Sequence, residues 1–120
     1  MRCKEIRPVI RTANLRETVD FYVNSLGFTC GGYSEEWGWA SFHRDDIEIM
    51  AAVPNAHMPF EKPLFTGSIY ITVDDADAFW EEFRDKARVF YPIEDFDFGM
   101  REFALLDNNG YLLQFGHPIA

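Results

Sequence analysis

The stretch Gly99-Met-Arg-Glu-Phe-Ala-Leu-Leu-Asp-Asn-Asn-Gly-Tyr-Leu-Leu-Gln-Phe115 holds an apolar run, a polar turn ending in Gly110, and a second apolar run. It reads as a β-hairpin, because Gly110 can take the positive φ that such turns need. A weaker copy lies earlier: Trp39-Ala-Ser-Phe42, the turn His43-Arg-Asp-Asp46, then Ile47-Glu-Ile-Met50. A hairpin repeated in this way predicts a chain built from two similar halves.

Working outward from the two hairpins, each half reads as βαβββ. In the first, Ile6–Thr12 is a short strand with Pro8 near its start, where a missing N–H is tolerated. Asn14 caps a helix over Leu15–Leu26, Glu17 completes a capping-box pair, and Leu15, Val19, Tyr22 and Leu26 form its buried stripe. Gly27 closes that helix, and strands are expected over Phe28–Tyr33, Trp37–Phe42 and Ile47–Val53. Pro54, Pro59 and Pro63 mark residues 54–66 as an ordered connector. In the second half, Ser68–Val73 is a strand. Asp74 or Asp75 caps a helix with apolar positions Ala76, Phe79, Trp80, Phe83 and Ala87. Val89–Tyr91 is a strand, Pro92–Phe98 a loop, and the hairpin closes the chain. The expected class is α+β: one domain over residues 1–120, with module one at about 5–53 and module two at about 67–117.

Composition narrows the function classes. The chain has 11 basic and 20 acidic residues, a formal charge of −9, which argues against nucleic acid or an anionic membrane as partner. The same charge steers cationic ligands favourably and also serves solubility. Cys3 and Cys30 are too few for a disulfide framework and show no metal-type spacing. The polar opening Met1-Arg-Cys-Lys-Glu5 and the lack of a long apolar run predict a soluble, cytoplasmic protein with reduced thiols. No nucleophile-elbow motif or glycine-rich phosphate loop is present.

The segment Asn14-Leu-Arg-Glu-Thr-Val-Asp-Phe-Tyr22, followed by Leu26-Gly-Phe28, resembles the first helix of the vicinal-oxygen-chelate superfamily. That superfamily includes glyoxalase I, extradiol dioxygenases and the fosfomycin- and bleomycin-resistance proteins. The closing Arg101-Glu-Phe-Ala-Leu-Leu-Asp-Asn-Asn-Gly110, and Arg44-Asp-Asp46 before an apolar strand, look most like the bleomycin-resistance branch. The match runs over essentially the whole chain. The resemblance implies two βαβββ modules whose mixed sheets curl into a cup. It also implies a homodimer formed by segment exchange, with a small-molecule ligand in grooves at the interface.

Enzymes of the superfamily hold a divalent metal with His, Glu or Gln on the first and last strand of each module. The resemblance places Arg7, Met50, Ser68 and Gln114 at those positions, and Glu48 shares a strand face with Met50 and can replace it. Even Glu48 with Gln114 gives two oxygen ligands, short of the three protein ligands usual in a catalytic site, and Arg7 would repel a cation. His43 (in a turn), His57 (in the connector) and His117 (past the last strand) show no pairing. The expectation is therefore no metal, no cofactor and no catalytic residue. The alternative is a metal-dependent glyoxalase-like lyase or isomerase, or a dioxygenase, with an atypical set of Glu48, Gln114 and one histidine.

A cup without metal binds by shape and stacking, and aromatics make up 17% of this chain. Phe21, Phe79, Phe83, Phe103 and Phe115 read as core. Phe96 and Phe98 alternate with Glu94, Asp95 and Asp97 in a loop, which suits either a planar cationic ligand or a dimer contact. Trp37 and Trp39, at i and i+2 after Gly31-Gly32-Tyr33, are expected on one sheet face, where at least one would line the cup. Arg7 and Arg11 read as partners of Glu48 or the acidic loop in preference to a clamp on an anionic ligand. The candidate ligand-binding set is Trp37, Trp39, Glu48, Met50, Phe60, Phe96, Phe98, Arg101 and Gln114.

Overall fold

The computed structural model describes residues 1–55, 57 and 59–120. They fall into two compact units, Met1–Glu61 and Lys62–Ala120, each with a helical segment and a four-stranded mixed sheet.

In the first unit, β1 (Val9–Arg11), α1 (Leu15–Asp20), β2 (Thr29–Ser34), β3 (Trp39–Arg44) and β4 (Ile47–Ala52) form a sheet of order β1-β4-β3-β2. The start of α1 is built as its sequence predicts, since the Asn14 side chain accepts the Glu17 N–H at 3.0 Å. The buried Thr18 and Thr12 hydroxyls meet at 2.8 Å and fix how the chain enters the helix. After Asp20 the helix widens into a π-helical turn over Phe21–Ser25 and stops at Gly27, whose φ of 72° suits glycine. Its apolar stripe covers one sheet face, where Tyr22 stacks on Phe42 at 4.9 Å and meets Phe28 edge-on at 5.6 Å.

The second unit repeats the plan with β5 (Ile69–Thr72), α2 (Ala76–Phe83), β6 (Arg88–Asp95), β7 (Met100–Leu106) and β8 (Leu112–Pro118), in the order β5-β8-β7-β6. Asp75 caps α2 through Ala78 N–H at 3.2 Å, and His117 Nδ1 accepts the Ala76 N–H at 2.8 Å. Trp80 and Phe83 pack on Phe103 and Phe115, with ring centres 5.2–5.3 Å apart in the closest pairs. In the β7–β8 turn, the Asp107 carboxylate accepts the N–H groups of Asn109, Gly110 and Tyr111.

Several expected boundaries move. β3 runs on through His43 to Arg44 and β8 through His117 to Pro118, so His43 is not in a turn and His117 is not past the last strand. The first strand begins at Val9 rather than Ile6, although the Pro8 carbonyl still accepts the Met50 N–H at 2.8 Å. Trp37 lies in a turn before β3, because Ser34 Oγ takes its N–H at 3.1 Å and Gly38 adopts a φ of 62°. A side chain at Gly38 would collide with Val53 Cγ2, 2.2 Å from where its Cβ would sit. The expected loop over residues 92–98 is strand as far as Asp95. β6 is an edge strand with two register shifts, so Pro92 and its missing N–H are accommodated without loss of the ladder.

Candidate functional site

Alternation along a strand gives each sheet a helix-covered face and a far face, and the candidate residues sort between them. In the second unit, Phe103, Leu105, Leu113 and Phe115 take the helix face, leaving Glu102, Ala104 and Gln114 on the far one. Cross-strand register puts Ala104 opposite Gln114 and Glu102 opposite Gly116. Tyr70, opposite Gln114 on β5, shares that face.

A register shift brings in a further hydroxyl. Val89 opposes Leu105, so an unbroken ladder would put Phe90 opposite Ala104 and turn Tyr91 toward the helix. The shift between Val89 and Tyr91 instead pairs Tyr91 with Ala104 and turns its phenol to the far face.

These side chains form one connected polar cluster. Glu102 is only 1% exposed, and its carboxylate accepts from the hydroxyls of Tyr70, at 2.7 Å, and Tyr91. The Gln114 amide donates to Tyr91 Oη at 2.8 Å and lies 3.4 Å from Glu102 Oε2, while its carbonyl oxygen accepts from Ser68 Oγ. Burial and the bond to Glu102 push the Tyr91 phenol up to about 12, against a smaller opposing effect from Gln114. The Tyr70 phenol is raised still further, by burial first and Glu102 second. Tyr70 reaches Glu102 by passing over Gly116, where an added Cβ would sit 2.3 Å from the hydroxyl.

An aromatic ladder continues from this cluster. Tyr91 meets Phe96 edge-on at 5.4 Å, and Phe96 stacks on Phe98 at 5.4 Å with ring planes 19° apart. Both phenylalanines belong to the β6–β7 turn, which Gly99 closes with a φ of 86°. Phe98 is 67% exposed. Arg101 extends from the opposite face of β7 from Glu102. It grips Asp77 of α2 with Nε and Nη2 at 2.8–3.1 Å and Asp95 with Nη1 at 3.0 Å. That grip holds the Asp77 carboxyl below its ordinary value.

In the first unit, the far face carries Trp39, Ser41, Glu48 and Met50. The Trp39 ring lies over Gly32, 2.8 Å from where a Cβ there would sit, and its indole N–H points to Met50 Sδ at 3.4 Å. The Gly31-Gly32 pair thus makes room for rings, with His43 over Gly31 as Trp39 is over Gly32. Ser41 donates to Glu48, and Arg7 Nη1 lies 3.6 Å from the same carboxylate. Trp37 is 80% exposed in its turn, and Phe60 is half-buried in the connector.

The positions matched to strand-borne metal ligands carry a guanidinium, a thioether, a hydroxyl and an amide. Arg7 is turned to Glu48, Met50 to Trp39, and Ser68 and Gln114 to each other. This donor set does not fit a divalent ion, which needs several anionic or imidazole ligands. Among the described residues no group of three or more His, Cys, Asp or Glu side chains has metal-holding geometry. No helix of the described residues is long and apolar enough to cross a membrane.

Of the expected set, the structure joins Gln114 to the polar cluster, Phe96 and Phe98 to the ladder, and Trp39, Glu48 and Met50 to the first far face. Sequence reasoning missed Tyr70, Tyr91 and Glu102. Glu102 had a readable signal: counting back from the Asp107–Gly110 turn puts it on the same face as Gln114. The register shift that turns Tyr91 has no such signal.

A family model described as the Glyoxalase/Bleomycin resistance protein/Dioxygenase superfamily matches residues 6–115. No curated protein matches the chain in sequence. A solved glyoxalase/bleomycin resistance protein/dioxygenase from Nocardioides superposes with a TM-score of 0.81 at 17% identity, over 99% of this chain and 85% of its own. The bleomycin-binding protein of bleomycin-producing Streptomyces verticillus, solved with copper(II)-bleomycin, gives 0.73 at 23% identity over 96% of each chain. The bleomycin resistance determinant encoded on transposon Tn5 gives 0.79 at 19% identity over 98% of this chain and 100% of its own. At these identities the likeness is one of fold.

Proposed function

The chain belongs to the Glyoxalase/Bleomycin resistance protein/Dioxygenase superfamily, and on that premise we propose that it is a metal-free binding protein for a small aromatic ligand able to carry positive charge. It makes and breaks no bond. It lowers the free concentration of its ligand in the cytoplasm by holding it, as a homodimer with exchanged segments and a groove at the interface. The observation that carries this reading is the Phe96–Phe98 stack, exposed at Phe98 and half-buried at Phe96, leading through Tyr91 to the buried carboxylate of Glu102. Stacking surface and negative charge then lie side by side, which suits a planar cation. Trp39, Glu48 and Met50 supply a second ring and a second carboxylate in the first unit, and Trp37 and Phe60 complete the candidate set, while Arg101 lies on the other face of β7, held by Asp77 and Asp95. The unsuited donor set at the metal positions favours binding over a metal-dependent reaction.

Titration of the purified, chelator-treated protein with copper-free and copper(II)-bleomycin, followed by calorimetry and tryptophan fluorescence, tests the reading. Binding is expected at a Kd of about 1 μM or tighter, equivalent to about −8 kcal/mol, with quenching and no requirement for added divalent ion. No heat and no quenching at drug concentrations a hundredfold higher would exclude bleomycin-like drugs as the ligand.

A further inference from the structure

The direction of the hydrogen bonds around Glu102 narrows the ligand class, and this step rests on the binding reading above. A phenol or an alcohol has one hydrogen to give, and a primary amide has two. Tyr70 spends its hydrogen on Glu102, and so does Tyr91. Ser68 spends its own on the Gln114 carbonyl. Gln114 directs its amide hydrogens to Tyr91 Oη and toward Glu102. Every donor in the cluster is thereby turned inward, and the groups that reach solvent are left with lone pairs.

Tyr70 is 40% exposed, and Ser68, Tyr91 and Gln114 are half-buried, so these lone pairs are within reach of a ligand. Behind them sits a carboxylate that no Lys or Arg of the described residues neutralises. Hydrogen bonds in series polarise one another, so each hydroxyl turned toward Glu102 presents a more negative oxygen outward. A face of this kind repels carboxylates and phosphates and has nothing to offer a carbonyl. It suits a group rich in N–H donors that also carries positive charge.

We propose that the β5–β8 face of the second unit recognises a primary ammonium group on an aromatic ligand, with Tyr70 Oη and Ser68 Oγ accepting its hydrogens. Glu102 acts as a positioning residue and counter-charge that does not touch the ligand. The Phe96–Phe98 stack holds the ring to which the ammonium is attached. Charge alone would admit a quaternary ammonium equally well. Hydrogen bonding would not, because a trimethylated nitrogen has no hydrogen to donate.

Four probes of one skeleton separate these terms: naphthylmethylammonium, its trimethylammonium analogue, naphthylmethanol and naphthylacetate, each titrated into the protein and followed by amide NMR shifts. The ammonium is expected to bind at least about tenfold tighter than the trimethyl compound and the acetate, as a charge-assisted hydrogen bond would give. Its shifts should fall on Tyr70, Tyr91, Glu102 and Gln114. Glu102→Gln should weaken the ammonium and the trimethyl compound alike, because both lose the counter-charge, and should leave naphthylmethanol unchanged. Tyr70→Phe leaves Glu102 with its remaining donors and should weaken the ammonium several-fold with little change for the trimethyl compound, which has no hydrogen to give the lost oxygen. Equal binding of ammonium and trimethylammonium to the unaltered protein, or shifts confined to other strands, would overturn the proposal. If bleomycin fails to bind while the ammonium preference holds, the drug assignment falls and the subsite stands. If bleomycin binds and the preference is absent, the subsite falls and the binding reading stands.

Discussion

A carboxylate as deeply buried as that of Glu102 loses several kcal/mol of hydration, and here only neutral donors replace the water. At Tyr91, burial of the phenol first and its bond to Glu102 second raise its pKa from 10.0 to about 12. The folded state holds that proton more tightly than the unfolded chain does. The associated stability is therefore complete below pH 10 and is lost as pH rises through about 12. Denaturant unfolding across that window should show wild-type stability falling faster than that of Tyr91→Phe. Parallel profiles would mean that the Tyr91 proton is not held by the fold. At this scale the sequence was partly legible. Gln114 could be assigned from the closing motif, and Glu102 follows from the same register count. Tyr91 could not be, because one extra residue in β6 reverses which face it serves.

Among the elements, β8 shows how a missing side chain can be a structural requirement. Tyr70 on β5 and Glu102 on β7 are not neighbours in the ladder, and their bond crosses over Gly116 between them. Gly116→Ala would set a methyl 2.3 Å from the Tyr70 hydroxyl and 2.9 Å from Glu102 Cβ. It should cost about 2–3 kcal/mol, through a broken hydrogen bond to a charged group and local overpacking. Gly99→Ala is the control, since φ is 86° and no atom lies within 4 Å, leaving a backbone cost of about 1–2 kcal/mol. Urea midpoints of the two variants, compared with the solvent exposure of Tyr70 by absorbance, check this. A Gly116→Ala protein with unaltered Tyr70 absorbance would contradict it. The helices and both hairpins could be read from apolar spacing and turn residues, because those signals are local. The start of β3 could not, since it depends on Ser34 capturing the Trp37 N–H and on Val53 filling the space beside Gly38.

For the whole molecule, the repeated hairpin was enough to predict two βαβββ units, and both are present with the same strand order. The identity of the ligand was not legible, because a fold shared by so many activities leaves chemistry to individual side chains. Assembly belongs to this scale too. Trp37, Leu64, Phe65, Phe90 and Phe98 are all large, apolar and more than half exposed, a cost that a partner surface would remove. Sedimentation velocity should show a species of two 14.0 kDa chains that persists on dilution to low micromolar concentration. The double variant Trp37→Ser, Phe98→Ser should sediment as one chain. A wild-type protein that is monomeric at all concentrations would remove the dimer from the proposed mode of binding.

The irregular strands carry a consequence for the life of the protein before it meets any ligand. Each sheet ends on one long outer strand and one short one. The long ones, β2 and β6, are broken by register shifts, and the short ones, β1 and β5, run for three and four residues. An outer strand that is bent or brief is a poor template for fibril growth. A chain with twelve phenylalanines needs that protection when it is crowded with copies of itself. The extra residue that aims Tyr91 at Glu102 is thus also a guard against self-templating. A substitution that straightened β6 would put solubility at risk along with recognition.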